Sequence, residues 1–183
     1  MATWTLRRAR EEDTPAIAEL IPLSVRGLQA QHYSAAQMEA AIGSAFGVDE
    51  QLIRDGTYFV AVTNDGAVVG CGGWSKRQTL YGSHHHHAIR NDSELDPGKD
   101  AARVRAFFVH PDWARRGLAR AIVERCEKDI RAAGFSRIEL AATLPGVPFY
   151  QATGYSLGER EDVPLPGGLT LGIVHMSKAL PPA

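Results

Sequence analysis

The sequence predicts an α/β (α+β) fold, a mixed and mostly antiparallel sheet with a central parallel strand pair and flanking helices. Four stretches carry that prediction. An apolar, β-branched and aromatic run over residues 104–109 leads through His110-Pro111-Asp112 into an amphipathic helix reaching about Ala133. A second apolar run, residues 137–142, follows, so the two strands lie parallel with the helix as crossover. Asn64-Asp65-Gly66 separates two strand-like runs, and residues that tolerate positive φ at that spacing mark a hairpin. Pro166-Gly167-Gly168 separates residues 155–163 from 169–178 and predicts a closing hairpin.

Taken in order, residues 4–9 read as a first strand, and Asp13 or Thr14 before Pro15 starts a helix through Ile17, Leu20 and Ile21 that Pro22 bends or divides. Ser34 with Gln37 has the form of a capping box opening a second helix through Met38 and Ile42. Residues 57–62 and 67–74 are the strands of the first hairpin. Residues 77–101 form a long irregular loop, expected to be mobile or functional. Its four consecutive histidines, His84 to His87, cannot all point at one centre from a regular element, and no spaced Cys or carboxylate completes a ligand set, so no metal site is expected.

In the central helix Leu118, Ile122, Cys126 and Ile130 recur every four residues and define a buried stripe. Arg120 with Glu124, Glu124 with Lys128 and Glu127 with Arg131 are i,i+4 pairs expected to add ~0.3 kcal/mol each. Gly134 is the expected stop. Thr143-Leu144-Pro145-Gly146 breaks the following strand, and residues 147–153 form a short helix ended by Gly154.

Composition bounds the function. At 183 residues, 44% hydrophobic and 22% charged, the chain reads as a single globular domain over 1–183. A net charge of −1 gives no reason to expect a nucleic-acid partner. No long apolar run predicts a membrane span, and the first eight residues lack a signal-peptide core. Cys71 and Cys126, both in apolar settings, argue against a disulfide scaffold and for a reducing compartment, so a cytoplasmic protein is expected.

The chemistry is concentrated where the central helix begins. Its first-turn N–H groups have no partner within the helix, and the peptide dipoles place partial positive charge there. Gly117 and Ala119 let an anion approach the backbone, and Arg115, Arg116 and Arg120 surround the opening. These features describe a pyrophosphate cradle, although no G-x-G-x-x-G or G-x-x-x-x-G-K-[ST] motif is present.

Val109-His110-Pro111-Asp112-Trp113, Arg115-Arg116-Gly117-Leu118-Ala119 and Pro148-Phe149-Tyr150-Gln151-Ala152-Thr153-Gly154-Tyr155 together resemble the GCN5-related N-acetyltransferase (GNAT) family. In that family the pattern Arg or Gln, two residues, Gly, one residue, Gly or Ala holds the pyrophosphate of acetyl-CoA. Gly117 and Ala119 match, whereas the leading position is Ala114, with positive charge displaced to Arg115 and Arg116. The resemblance implies the acyl-CoA N-acyltransferase fold, in which the parallel pair splays apart and the pantetheine arm lies in the gap against backbone corresponding to Phe107, Phe108 and Val109. It also implies that the first helices roof an acceptor pocket, that Thr143 takes the place of a cofactor-contacting asparagine, and that Tyr150 donates a proton to the leaving thiolate.

A thiol near ~8.5 and a phenol near ~10 are close enough in pKa for that transfer. No general base stands out. Glu139 and His175 are candidates, and a water chain is an equal alternative. Arg103 and Arg105, on one strand face with Phe107, suggest an acceptor carrying an anion. The leading expectation is therefore direct acetyl transfer from acetyl-CoA to a small-molecule or peptide amine, with a homodimer left open. Transfer of a larger acyl group and a non-catalytic acyl-CoA-binding module are the alternatives.

Overall fold

The computed structural model describes residues 3–80 and 93–182, and the four histidines of the long loop lie outside the described residues. In chain order the elements are β1 (Trp4–Arg8), α1 (Thr14–Leu28), α2 (Ala35–Ala41), α3 (Glu50–Arg54), β2 (Tyr58–Thr63), β3 (Val68–Ser75), β4 (Ala102–Val109), α4 (Leu118–Ala132), β5 (Arg137–Thr143), α5 (Val147–Ala152), β6 (Ser156–Pro164) and β7 (Thr170–Ala179). The strands form one seven-stranded sheet in the order β1-β2-β3-β4-β5-β7-β6. Every neighbouring pair is antiparallel except β4 and β5, which run parallel. Mixed topology and the predicted hairpins agree with the sequence.

Successive residues of each strand face opposite sides of a sheet, and both sides are covered. On one, Ile17, Leu20, Ile21 and Val25 of α1 pack with Leu52 of α3 against Val60, Cys71 and Phe108. On the other, Ile122, Cys126 and Ile130 of α4 pack against Phe59, Val104, Ile138 and Leu140. Leu118 completes the predicted stripe by packing against Ala61 and Val69. All four stripe residues are buried.

Local signals account for most boundaries. The Ser34 hydroxyl accepts from the Gln37 N–H at 3.1 Å while the Gln37 side chain accepts from the Ser34 N–H at 2.9 Å, so the capping box forms. Gly66, Gly134 and Gly154 take positive φ where the chain turns.

Two expectations are corrected. Pro22 does not divide α1, which is one helix from Thr14 to Leu28. Buried residues on both sides of the proline, Ile17 to Val25, hold the helix against the sheet and outweigh the missing backbone bond. On α4 the i,i+4 ion pair is Arg125–Asp129 at 3.1 Å. None of Arg120–Glu124, Glu124–Lys128 and Glu127–Arg131 forms an ion pair among the described residues. Glu127 lies beside the sheet, where it takes two bonds from the Lys178 ammonium at 2.8 and 2.9 Å and one from the Tyr155 hydroxyl at 3.1 Å.

Candidate active site

The parallel pairing of β4 and β5 lasts for two rungs, Ala102–Ile138 and Arg103–Glu139. Beyond them the strands part. Cys71 opposes Phe108 and Gly73 opposes Arg105, so Gly72 alone faces both Ala106 and Phe107 in a β-bulge. Ala106 has φ +62°, a conformation non-glycine residues seldom adopt. Its carbonyl accepts from the buried Tyr58 hydroxyl at 3.0 Å, which holds the bulge from the α1 side. Gly72 is required for space: a Cβ there would stand 2.7 Å from the Phe107 ring.

The gap opens into a cavity of about 240 Å³ walled by residues 104–109 of β4 and 141–143 of β5, and it reaches both Ala119 of α4 and Tyr150 of α5. Phe107 and Phe108 diverge at the bulge. Phe107 meets the Tyr150 ring edge-on at 6.2 Å, and Phe108 meets Phe46 edge-on at 5.7 Å. The Val109 N–H is occupied, donating to the Ser24 hydroxyl of α1 at 3.1 Å.

At the α4 end, the loop after β4 is set by His110, whose Nδ1 accepts from the Asp112 N–H at 3.2 Å, and by a 3-10 turn at Pro111–Trp113. Arg115 and Gly117 both have positive φ, +62° and +83°. Gly117 is the N-cap of α4 and offers no side-chain oxygen to the first turn. Among the described residues no oxygen accepts from the N–H groups of Arg115, Arg116, Gly117, Leu118, Ala119 or Arg120. Arg116 stacks on Trp113 at 5.0 Å, and Arg115, Arg116 and Arg120 are exposed. The helix N-terminus, six open donors and three cations make this a strongly anion-attracting opening.

At the other end, Thr143 ends β5 in the cavity wall and Tyr150 stands across from Phe107. The Tyr150 ring makes edge contacts with Phe149 at 5.0 Å and Tyr155 at 5.5 Å. Burial, and after it the nearby Cys126, pushes its hydroxyl well above the ordinary phenol value of ~10. No described group hydrogen-bonds that hydroxyl, so its proton is free to be given to something in the cavity.

The charges fall differently from expectation. Arg105 lies in the cavity wall but is paired with Asp49 at 2.8 Å, and it also donates to the Thr79 carbonyl. Arg103 pairs with Glu139. Neither arginine is a lone anion receptor, because each faces a carboxylate that the fold places opposite it. The two base candidates are likewise occupied, Glu139 by Arg103 and His175 by Glu161 at 2.6 Å, and neither lines the cavity. Ser24, Gln29 and Asp49 do line it and were not legible as site residues. Asp49 had one readable signal, its place as N-cap of α3 three residues before Leu52, whose N–H it accepts at 3.2 Å.

Among the described residues, no group of three or more His, Cys, Asp or Glu could hold a metal, and no helix is long and apolar enough to cross a membrane. Comparison with known proteins bears on the whole arrangement. The Acetyltransferase (GNAT) family model matches residues 26–155, which span α2 to α5. Among solved structures, a GCN5-related N-acetyltransferase from Rhodopseudomonas palustris is 24% identical over 98% of each chain with a TM-score of 0.71. The PaiA N-acetyltransferase of Thermoplasma acidophilum, solved with coenzyme A, is 16% identical over 97% of this chain and 99% of its own, TM-score 0.66. A phosphinothricin acetyltransferase of Sinorhizobium meliloti, solved with acetyl-CoA, is 21% identical over 97% and 89%, TM-score 0.63. None of the curated proteins matches the chain.

Proposed function

The chain belongs to the acetyltransferase (GNAT) family, and from that premise we propose that it transfers the acetyl group of acetyl-CoA directly to a primary amine, with Tyr150 as proton donor. One observation carries the reading: a single cavity runs along the parted strands from Ala119, at the anion-attracting helix start, to the unpartnered hydroxyl of Tyr150. A long co-substrate with phosphates at one end and a thioester at the other suits that path.

When bound, acetyl-CoA supplies an activated acyl group. The N–H groups from Arg115 to Arg120 receive its pyrophosphate, and Arg115, Arg116 and Arg120 add charge around it. Gly117 takes φ +83°, and a Cβ there would meet no protein atom within 4 Å, so the space beside its backbone is left to the phosphates. Backbone at Phe107 and Phe108 and the Thr143 hydroxyl border the pantetheine path, with the Val109 N–H already committed to Ser24.

Tyr150 remains protonated at neutral pH because burial raises its pKa. Burial disfavours the phenolate and the expelled thiolate alike, so the leaving sulfur takes the Tyr150 proton as the C–S bond breaks. Proton removal from the attacking amine falls to water, since neither Glu139 nor His175 lines the cavity and Asp49, which does, is paired with Arg105.

The test is thiol release from acetyl-CoA across amines, amino-acid amides, polyamines and peptides, comparing the unaltered chain with Tyr150→Phe. Turnover with at least one acceptor is expected, and the variant is expected to lose about 100-fold in kcat with acetyl-CoA affinity retained. Equal turnover by the variant would remove Tyr150 from the mechanism. Binding without turnover of any acceptor would favour a binding module.

A further inference from the structure

Tyr58 is fully buried on β2, yet its side chain reaches the strand that borders the cavity. The ring crosses β3 over Gly73, where a Cβ would stand 2.8 Å from it. Its hydroxyl ends 3.0 Å from the Ala106 carbonyl and 3.1 Å from the Cys71 sulfur. The carbonyl is the stronger acceptor, so the single proton goes to Ala106. Burial raises the hydroxyl well above the ordinary phenol value, which keeps it a donor. Packing alone would be served by phenylalanine. The polar atom acts on one peptide group, and that group follows the left-handed residue of the β4 bulge.

A peptide group is planar and trans, so its C=O and N–H point in opposite directions. With the Ala106 carbonyl drawn toward β2, the Phe107 N–H of the same group points away from β2 and β3, into the gap. The ladder gives this direction independently. His110 donates to the Val69 carbonyl at 2.9 Å, and hydrogen-bonded pairs alternate along an antiparallel ladder, which makes Phe108 with Cys71 the next one. Val109 and Phe107 therefore turn their N–H groups away from β3. The Val109 N–H does so, donating to Ser24 at 3.1 Å. On the Phe107 side β5 has left the pairing after Arg103–Glu139. Phe107 lines the cavity, and its ring stands 6.2 Å from that of Tyr150.

Resting on the acetyl-transfer reading above, we infer that Tyr58 is a positioning residue: by fixing the Ala106 carbonyl it aims the Phe107 N–H at the thioester carbonyl oxygen of acetyl-CoA. As the amine nitrogen bonds to the carbonyl carbon, the C=O electron pair moves onto that oxygen, and the N–H receives the charge. Collapse of the adduct re-forms the C=O and breaks the C–S bond, with the sulfur taking the Tyr150 proton. Tyr58 acts on this sequence only through one peptide plane.

Nuclear magnetic resonance of the chain labelled with 15N-phenylalanine reads the aim directly. In the unaltered chain the Phe107 amide proton should move downfield with saturating acetyl-CoA and much less with coenzyme A, which lacks the acyl carbonyl. An equal response to the two overturns the proposal. Tyr58→Phe keeps the ring and should shrink the acetyl-CoA response while the Kd from calorimetry stays unchanged. With a responding acceptor it should lower kcat about 10-fold, less than outright loss of such a donor, and leave both KM values in place. A merely structural role would reduce the amount of folded protein and move neither the Phe107 response nor kcat per folded chain. An unchanged response, or an unchanged kcat, in Tyr58→Phe overturns the role. Should that variant not fold, Tyr58→Phe with Ala106→Gly takes its place, because glycine adopts φ +62° without steric cost yet leaves the carbonyl unheld. The same losses are expected of it, and their absence overturns the role. Failure of the transfer reading is seen separately. A Phe107 response specific to acetyl-CoA in a chain that acetylates no amine overturns transfer and supports the aimed N–H, whereas a chain that does not bind acetyl-CoA overturns both.

Discussion

Asp49 and Arg105 place opposite charges where water hardly reaches, their side chains 2% and 4% exposed. Each is tolerable only because of the other, and Asp49 also caps α3. Asp49→Asn leaves a buried guanidinium without its anion and should cost about 3 kcal/mol in urea unfolding. The double replacement Asp49→Leu with Arg105→Met should lose less than Asp49→Asn alone, because no unpaired charge remains. A more exposed pair, Arg7 with Asp13, responds to pH. Hydrogen bonds from Arg7, both 2.7 Å, hold the Asp13 carboxyl below its ordinary value. A depressed carboxylate contributes stability that is complete above its unfolded pKa of ~3.9 and is lost as pH falls through the folded value. The gap in urea midpoint between the unaltered chain and Asp13→Asn should therefore be present at pH 7 and close below about pH 4.

At the scale of elements, α1 matters through two contacts with the strand–loop that leads to α4. Ser24 takes the Val109 N–H at 3.1 Å, and Gly27 lies so close to Pro111 that a Cβ would stand 2.3 Å from its ring. Gly27→Ala must push α1 away from this loop. It should lower stability by about 2 kcal/mol in thermal or urea unfolding and raise the KM for acetyl-CoA. Elements with local causes were legible in sequence. The capping box at Ser34 and Gln37, the hairpin at Asn64-Asp65-Gly66 and the four-residue rhythm of Leu118, Ile122, Cys126 and Ile130 all formed as read. What was not legible depends on partners far along the chain. Ala106 takes a left-handed conformation held by Tyr58, 48 residues away, and Glu127 pairs with Lys178, 51 residues away. The short α3 gives only five helical residues, too few for a periodic signal.

For the whole molecule, the sheet divides into β1–β4 and β5, β7 and β6, joined by two rungs of the parallel pair. A ligand lying in the gap contacts both parts, so its binding free energy adds to folding stability as RT ln(1 + [L]/Kd), about 2.7 kcal/mol at one hundred times Kd. Amide hydrogen exchange should follow: protection at Phe107 and along residues 141–143 should rise strongly with saturating acetyl-CoA, while β2 and β6, away from the gap, should change by no more than the global term. Uniform protection across the sheet would place the ligand elsewhere.

Mechanically, the two parts meet at a short seam whose pins are Ala102 and Ile138, both fully buried, with Arg103 and Glu139 beside them, and α4 packs across it against Val104, Ile138 and Leu140. Tyr33 is a second tie across the opening, from the α1–α2 turn to Leu144 just past β5 and to Gly172 of β7. The width of the pocket is then set by an angle as well as by the side chains that line it. A change of side-chain size at either pin should alter how far the strands part, and with it the cavity, without touching Tyr150 or the α4 start. Acceptor preference in this architecture can drift through residues that never meet the acceptor.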